Sequence, residues 1–323
     1  MLSDEKILIT GVSGMVAKPL AHMLAKNNEV WGIARFADSR EIEDWNPKTF
    51  SAPADRGLTS REELTAAGVT TRAIDIGDGD FSDLPDDFTY LLHLSWMRAD
   101  LVHLEQALRT NVEGPGLLLQ HCRKAKAALV MSGMGIYSPN EDPYHAYSET
   151  DPIGRGSTAY APTSPASKSG VEAVARYCAR AFDLPVVITR LNTFVGDRLS
   201  FPGMTVTEVL AGRDVTAPSD PNLHTPIHAD DMAWQLEPLL DAASVPATIT
   251  NWCGDEDMTV QQWVSVASEV SGHPGTVNVV KVPGAPAGTK SDPTRRRSIT
   301  GPCKVDVHAR FKELAIDMSK GAS

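Results

Sequence analysis

The sequence predicts an α/β fold built on a doubly wound parallel sheet, and three observations predict it. Short apolar, β-branched runs alternate with helix-period segments as far as Arg190, and the first run leads straight into a glycine-rich turn. A chain of 323 residues with 42% hydrophobic content is also long enough to bury a sizeable core.

The first strand is Lys6-Ile-Leu-Ile-Thr10, followed by Gly11-Val-Ser-Gly14-Met-Val-Ala17 and a helical pattern over residues 15–27. Glycines let a backbone approach a pyrophosphate closely, and the free N–H groups at the positive end of the next helix bind it. Gly11, Ser13, Gly14 and Met15 are therefore candidate cofactor-binding residues, and Ala17 is small enough for helix–strand packing. A structural turn would share these glycines, but its place in the first strand–helix unit of an α/β chain favours cofactor binding. The second strand, Glu29-Val-Trp-Gly-Ile-Ala34, ends where such folds meet the adenosine ribose. A carboxylate there would repel a 2′-phosphate, whereas the guanidinium of Arg35 pairs with one, so NADP is expected over NAD. Ser39 and Arg40 are further candidate contacts, and the competing reading of Arg35 is a solvated surface charge.

Strand patterns recur at residues 69–76, 90–95, 127–132 and 185–190. Between them lie a helical pattern over 100–126, which Gly114-Pro-Gly116 is expected to interrupt, a loop over 138–163 and a helix over 164–182. Ligands on such sheets lie at the carboxyl ends of the strands, where Gly11, Ser95 and Ser132 fall. Ser164 before Pro165 reads as a helix cap, and Asp230-Asp231 reads as the cap of a helix starting at Met232.

Composition narrows the function. A net charge of −11 repels nucleic acid and anionic membranes over most of the surface. The N-terminus is charged and lacks a signal-peptide core, and no run approaches the ~18 apolar residues of a membrane span, so a cytoplasmic protein is expected. Cys122, Cys178, Cys253 and Cys303 are too dispersed for a zinc or disulfide framework and read as reduced thiols. His224-Thr-Pro-Ile-His228 contains Pro226, which bars a two-histidine helical ligand set, so no metal is expected. Arg295-Arg-Arg297 is expected to be a solvated loop, with contact to a substrate diphosphate as the rival reading.

The motifs, in order, resemble the extended short-chain dehydrogenase/reductase family, in its NAD(P)-dependent epimerase/dehydratase branch. Thr10-Gly-Val-Ser-Gly-Met-Val-Ala17 resembles the T-G-x-x-G-x-x-G turn, and Asp75-Ile76 the pair that touches adenine. His93-Leu-Ser-Trp96 stands where the family has H-L-A-A beside the cofactor, which marks Leu94 and Ser95; Asn111-Val-Glu-Gly114 resembles its N-V-x-G helix. Met131-Ser-Gly-Met-Gly-Ile-Tyr137, Arg190-Leu-Asn-Thr-Phe-Val-Gly196 and Ile227-His-Ala-Asp-Asp231 resemble later landmarks. The resemblance implies a nucleotide-binding Rossmann domain over residues 1–191, completed by about 225–252, with 192–323 mainly a smaller substrate-binding domain. It also implies a homodimer formed through the helices carrying Asn111 and Lys168, a small-molecule substrate, and Trp96, Asn192 and His228 as candidate substrate contacts.

The family's chemistry uses a Ser, a Tyr and a Lys four residues after the Tyr. Lys168 is in place, but the position four before it is Ser164, and Ser132 lies one residue ahead of the family's serine position. A positioned acid–base group contributes about 10²–10⁴-fold, so the missing phenol matters. Three accounts stay open: a substitute group, with Tyr160 nearest in sequence and Tyr144, His145 and Tyr147 also in the preceding loop; a different chemistry; or dinucleotide binding without turnover. The candidate catalytic set is Lys168, Ser132 and Tyr160, with Lys168 also assigned to the nicotinamide ribose. The expected activity is an NADP(H)-dependent oxidoreductase acting on a small alcohol or carbonyl. The alternatives are a redox-neutral nucleotide-sugar epimerase or dehydratase and a non-catalytic NADP(H) sensor.

Overall fold

The computed structural model describes residues 2–36, 56–154 and 161–321. In chain order its elements begin with β1 (Lys6–Thr10), α1 (Ala17–Leu24), β2 (Glu29–Ala34), α2 (Arg56–Ala66), β3 (Thr70–Ala73) and β4 (Tyr90–His93). Next come α3 (Leu104–Leu108), α4 (Gly114–His121), β5 (Ala127–Gly133), α5 (Ser164–Phe182), β6 (Val186–Leu191) and β7 (Phe194–Val195). Then follow α6 (Phe201–Leu210), β8 (Val215–Ala217), β9 (Leu223–His224), β10 (Ile227–His228), α7 (Ala229–Asp241) and β11 (Thr248–Trp252). The chain ends with β12 (Met258–Thr259), α8 (Val260–Ser271), β13 (Val277–Val279), α9 (Thr294–Thr300) and α10 (Val307–Gly321).

Seven strands form one sheet in the order β11-β6-β5-β4-β1-β2-β3, and the pairs joining β3, β2, β1, β4 and β5 are parallel. The order reverses between β1 and β4, which makes the carboxyl ends of those two strands the crevice where such sheets take ligands. Ile7, Leu8 and Ile9 are all fully buried, as expected of a strand covered on both faces. On one face Leu8, Leu91, Ala128, Val130, Val186 and Ile188 pack with Val171, Ala175 and Cys178 of α5. The spacing of those three helix residues turns one stripe of α5 onto its own sheet, and each large apolar side chain so buried contributes about 1.5–3 kcal/mol. Strand alternation then continues that face beyond the apolar residues to Thr10, His93, Ser132 and Arg190.

The chain forms two compact units. The first comprises residues 1–136, 159–190 and 233–250 and carries most of the large sheet; the second comprises 137–158, 191–232 and 251–323. The second unit has its own core, in which Val206, Val209, Trp263, Val264 and Phe311 from α6, α8 and α10 pack together. Here α8 begins at a reciprocal capping box, Thr259 with Gln262, and ends at Gly272 with φ 72°. Among the described residues no helix is long and apolar enough to cross a membrane.

Several sequence expectations change in detail. The helical stretch around Gly114 is continuous: α3 passes through a π-helical turn, Arg109–Glu113, into α4, and Pro115 sits in the first turn of α4. Gly114 is required because a Cβ there would run into the Ile76 carbonyl, so the irregularity falls ahead of the glycine. Ser164 is not the cap of α5; Thr163 holds that position without a side-chain capping bond, and its hydroxyl donates to the Ala99 carbonyl. Asp230 and Asp231 lie inside the first turn of α7, and buried Asp231 accepts the backbone N–H of Lys304 and Val305. Residues 295–297 form part of α9 instead of a loop.

Candidate functional site

The turn after β1 is shaped for an anion. Gly11 adopts φ +65°, and a Cβ on it would lie 2.7 Å from Ser95 Cα, so only glycine lets this turn press against the segment after β4. Within the turn Gly14 N–H donates to Gly11 O, and Lys18 N–H donates to Gly14 O. The N–H groups of Ser13, Met15, Val16 and Ala17 have no hydrogen-bond partner among the described residues, and α1 has no side-chain cap. Four free amides at the start of a helix form a positive cradle. Arg35, directly after β2, is exposed and forms no ion pair among the described residues; Ser39 and Arg40 lie outside them.

The segment after β4 is fixed by side chains from two sides. Asn111, buried in the π-helical turn, accepts from Met97 N–H and donates to Met97 O, both at 2.8 Å. Thr10 Oγ1 receives the N–H groups of Leu94 and Ser95, each at 3.1 Å. Its own proton is therefore directed to His93 Nδ1 at 3.0 Å, which leaves the neutral ring protonated on Nε2. Burial pushes the His93 pKa down to about 3, with the nearby Lys168 charge adding to the effect. Sequence alone reads His93 as a satisfied core histidine; only one ring nitrogen is satisfied, since Nε2–H has no partner among the described residues. Asp75 accepts from Gly77 N–H, and Ile76 belongs to the core of the first unit.

Lys168 lies one turn into α5 and is 7% exposed. Its Nζ stands over the face of Trp96, 3.5 Å from the ring centroid, and has no hydrogen bond among the described residues. Glu172, one turn further on, is already held by Arg190 in a buried bidentate pair, both N–O distances being 2.9 Å. Burial lowers the Lys168 pKa from 10.5 to about 7, and the Glu172 charge opposes that shift. The Trp96 face also favours the ammonium, by about 0.5–2 kcal/mol, which is less than burial removes. Ser132 Oγ is fully enclosed and unpartnered, as is Ser167 Oγ on α5. Ser164 Oγ is 3.7 Å from where a Cβ of Gly135 would lie. The first unit thus gathers Gly11, Ser95, Trp96, Asn111, Ser132, Ser164 and Lys168, whereas Tyr160 lies outside the described residues.

The other candidates belong to the second unit. Asn192 is committed there, donating to Thr289 O and Ser291 Oγ and accepting from Thr193 N–H. His228 accepts from Asp230 N–H, and burial lowers its pKa. Tyr147 is buried, donates to Ser138 O and stacks on Tyr137; His145 pairs with Asp151; Tyr144 is exposed. Arg296, expected in a solvated loop, is instead completely buried, bound to Asp255, Gly254 O and Gly301 O, and so unavailable to a diphosphate. Burial pushes the Cys253 thiol up to about 12, which makes it inert at neutral pH. Among the described residues no group of three or more His, Cys, Asp or Glu could hold a metal. The pairings that sequence reasoning missed are Thr10 with His93 and Glu172 with Arg190. The register of β1 on β4 creates the first, and the packing of α5 on β6 creates the second; neither carries a local sequence signal.

Solved structures of similar fold include nucleotide-sugar enzymes in complex with NAD or a nucleotide sugar. The UDP-glucuronic acid 4-epimerase from Bacillus cereus, in complex with UDP-glucuronic acid and NAD, aligns over 98% of this chain and 100% of its own, at TM-score 0.80 and 22% identity. The UDP-N-acetylglucosamine 4-epimerase from Methanobrevibacter ruminantium M1 aligns over 99% and 100%, at TM-score 0.75 and 16% identity. The dTDP-glucose 4,6-dehydratase from Bacillus anthracis str. Ames, in complex with NAD, aligns over 97% and 96%, at TM-score 0.75 and 16% identity. At these identities the likeness is one of fold. No curated protein matches the chain in sequence. The family model for NAD dependent epimerases and dehydratases matches residues 7–217, from the first strand of the sheet through β8, and the chain therefore belongs to the NAD dependent epimerase/dehydratase family.

Proposed function

We propose that this chain binds a pyridine dinucleotide on the Gly11–Ala17 turn and uses it to interconvert a nucleotide sugar without net oxidation. The observation that carries this reading is the cradle of four unpartnered amides against a glycine that tolerates no side chain. It replaces a small alcohol or carbonyl as the expected substrate class, because the solved structures of like fold hold sugar nucleotides. A bound dinucleotide would supply a reversible hydride acceptor. The residues of this chain would do the rest: Ser13, Met15, Val16 and Ala17 amides hold the pyrophosphate, and Asp75 and Ile76 border the adenine. Leu94, Ser95 and Asn111 shape the nicotinamide side, and Lys168 lies beside its ribose. Arg35 favours the 2′-phosphorylated form, so NADP stays the preferred cofactor in this proposal although the relatives named above hold NAD. Trp96 and His228 remain the proposed substrate contacts, Asn192 being taken up by Thr193, Thr289 and Ser291, and Ser132 and Tyr160 remain proposed members of the catalytic group. A homodimer through α4 and α5 is part of the same proposal, with Leu117 and Tyr177 exposed on those helices.

A second reading, binding without turnover, is favoured by Ser164 in the place of the family phenol. Calorimetry with NAD and NADP, followed by NMR of UDP- and dTDP-sugars incubated with the protein and the bound dinucleotide, separates the two. Configurational change at a sugar carbon without accumulation of reduced dinucleotide supports the proposal. Dinucleotide uptake with no change in any sugar leaves the binder, and no uptake ends both.

A further inference from the structure

An aliphatic hydroxyl at position 164 is too weak an acid to do the work of a phenol near neutral pH. The same helix face carries a better group one turn later. We propose that Lys168 itself takes the proton from the substrate hydroxyl and returns it, a role that rests on the dinucleotide-dependent reading above. Its amine is nine-tenths buried, accepts and donates no hydrogen bond among the described residues, and meets only the face of Trp96. The carboxylate that would ordinarily hold it as a permanent ammonium is Glu172, and both oxygens of Glu172 are taken by Arg190. A buried amine without a counter-ion has reason to give up its proton, and burial brings this one to about 7. Among the described residues the titratable and charged groups facing it are His93 from β4, neutral in this range, Glu172 on its own helix and Arg190 from β6, tied to Glu172; β5 presents Ser132 and no charge.

The proton balance is simple. The neutral amine accepts the hydroxyl proton while the C–H hydrogen leaves with its electron pair to the oxidised pyridine dinucleotide. The sugar carbon becomes a carbonyl, the amine becomes an ammonium, and the dinucleotide is reduced. On the return the carbon regains hydrogen and electron pair, the oxygen regains its proton from Lys168, and no net oxidation remains. Oxidation therefore needs the neutral amine and speeds up as pH rises through about 7.

Lys168→Arg tests this, because a guanidinium keeps the charge and stays protonated at every working pH. In the protein without dinucleotide, NMR of ¹⁵Nζ-labelled lysine is expected to show one signal, missing from Lys168→Arg, that titrates near 7; titration near 10.5 overturns the proposal. At saturating NAD or NADP, with UDP-glucose and UDP-glucuronic acid as probes, Lys168→Arg is expected to lose at least about 100-fold in configurational exchange. Lys168→Ala is expected to recover part of the exchange when methylamine is added, and to recover more as pH rises. Exchange in Lys168→Arg close to the parent rate overturns the role of Lys168 and leaves the dinucleotide reading intact. Failure of the parent to bind either dinucleotide overturns the reading beneath it. Binding without exchange of either probe by the parent overturns proton transfer and retains binding.

Discussion

Each unit holds one deeply buried histidine, and the two differ in how their ring nitrogens are used. Among the described residues both units leave buried side-chain atoms unpartnered: Ser132, Ser167 and Thr189 in the first, and Trp263, Ser268 and Arg296 Nε in the second. In the second unit His224 is saturated: Nδ1 lies 2.7 Å from the hydroxyls of both Thr193 and Thr289, and Nε2 is 3.0 Å from Asn222 Oδ1. Asn251 likewise accepts from Tyr137 and donates to Tyr147 O, and Asn192 and Asp231 are fully engaged. In the first unit His93 is as deeply buried as His224 and is also pushed to about 3, yet it uses one ring nitrogen; Lys168 Nζ, over the Trp96 ring, and four amides of the glycine turn have no hydrogen-bond partner among the described residues. Burying a polar group costs free energy unless it is paired. Saturated groups repay that cost within the fold, whereas the unpaired donors near the glycine turn are the ones the proposed dinucleotide would engage.

The largest expected effect lies at the saturated histidine of the second unit. His224→Leu strands Asn222 and two threonine hydroxyls and should cost about 3–4 kcal/mol of stability in urea unfolding, with dinucleotide affinity unchanged. It should also reduce acid sensitivity. A histidine at about 3 in the folded chain and 6.5 in the unfolded one contributes stability that is complete above 6.5 and is lost as pH falls towards 3. Loss of dinucleotide binding in His224→Leu at full folding would break the contrast between the units.

The next effect belongs to the glycine turn of the first unit. Gly11→Ala combines a strained φ of +65° with a Cβ 2.7 Å from Ser95 Cα, so the cradle must shift. An affinity loss of about 100-fold or more for either dinucleotide is expected, about 2.7 kcal/mol. Arg35→Ala comes below that, with about a tenfold loss of affinity for NADP and none for NAD, measured by calorimetry. An equal loss for both would identify Arg35 as a surface charge.

The cradle was legible in the sequence because it is local: strand, glycines and helix follow one another within Lys6 to Leu24, and chain order fixes their geometry. The sheet was legible for the same reason, one strand–helix repeat at a time. The polar contrast was not. Thr10 and His93 meet only because β1 and β4 pair in register, and Glu172 reaches Arg190 only once α5 is laid across β6. Arg296 illustrates the limit from the other side, since three consecutive arginines read as solvent-facing while the middle one is sealed by Asp255 and two carbonyls. Which member of a charged run turns inward depends on the helix phase of α9 and on what packs above it.

The smallest expected effect discriminates most sharply. Glutamine at position 93 offers an oxygen to accept from Thr10 and an amide N–H in place of Nε2–H, so His93→Gln preserves the polar pattern and removes the titration. Stability at pH 8 should change by no more than about 1 kcal/mol, because the two N–H groups received by Thr10 keep their acceptor. Acid unfolding should begin at lower pH than in the parent, since one proton-binding site of the unfolded chain with a depressed folded value has gone. If Nε2–H serves a ligand, His93→Phe should weaken dinucleotide or sugar-nucleotide binding while His93→Gln does not. If both variants bind as the parent does, His93 is structural like His224, and Lys168, the turn and the hydroxyls of Ser132, Ser167 and Thr189 remain the unpaired donors among the described residues of the first unit.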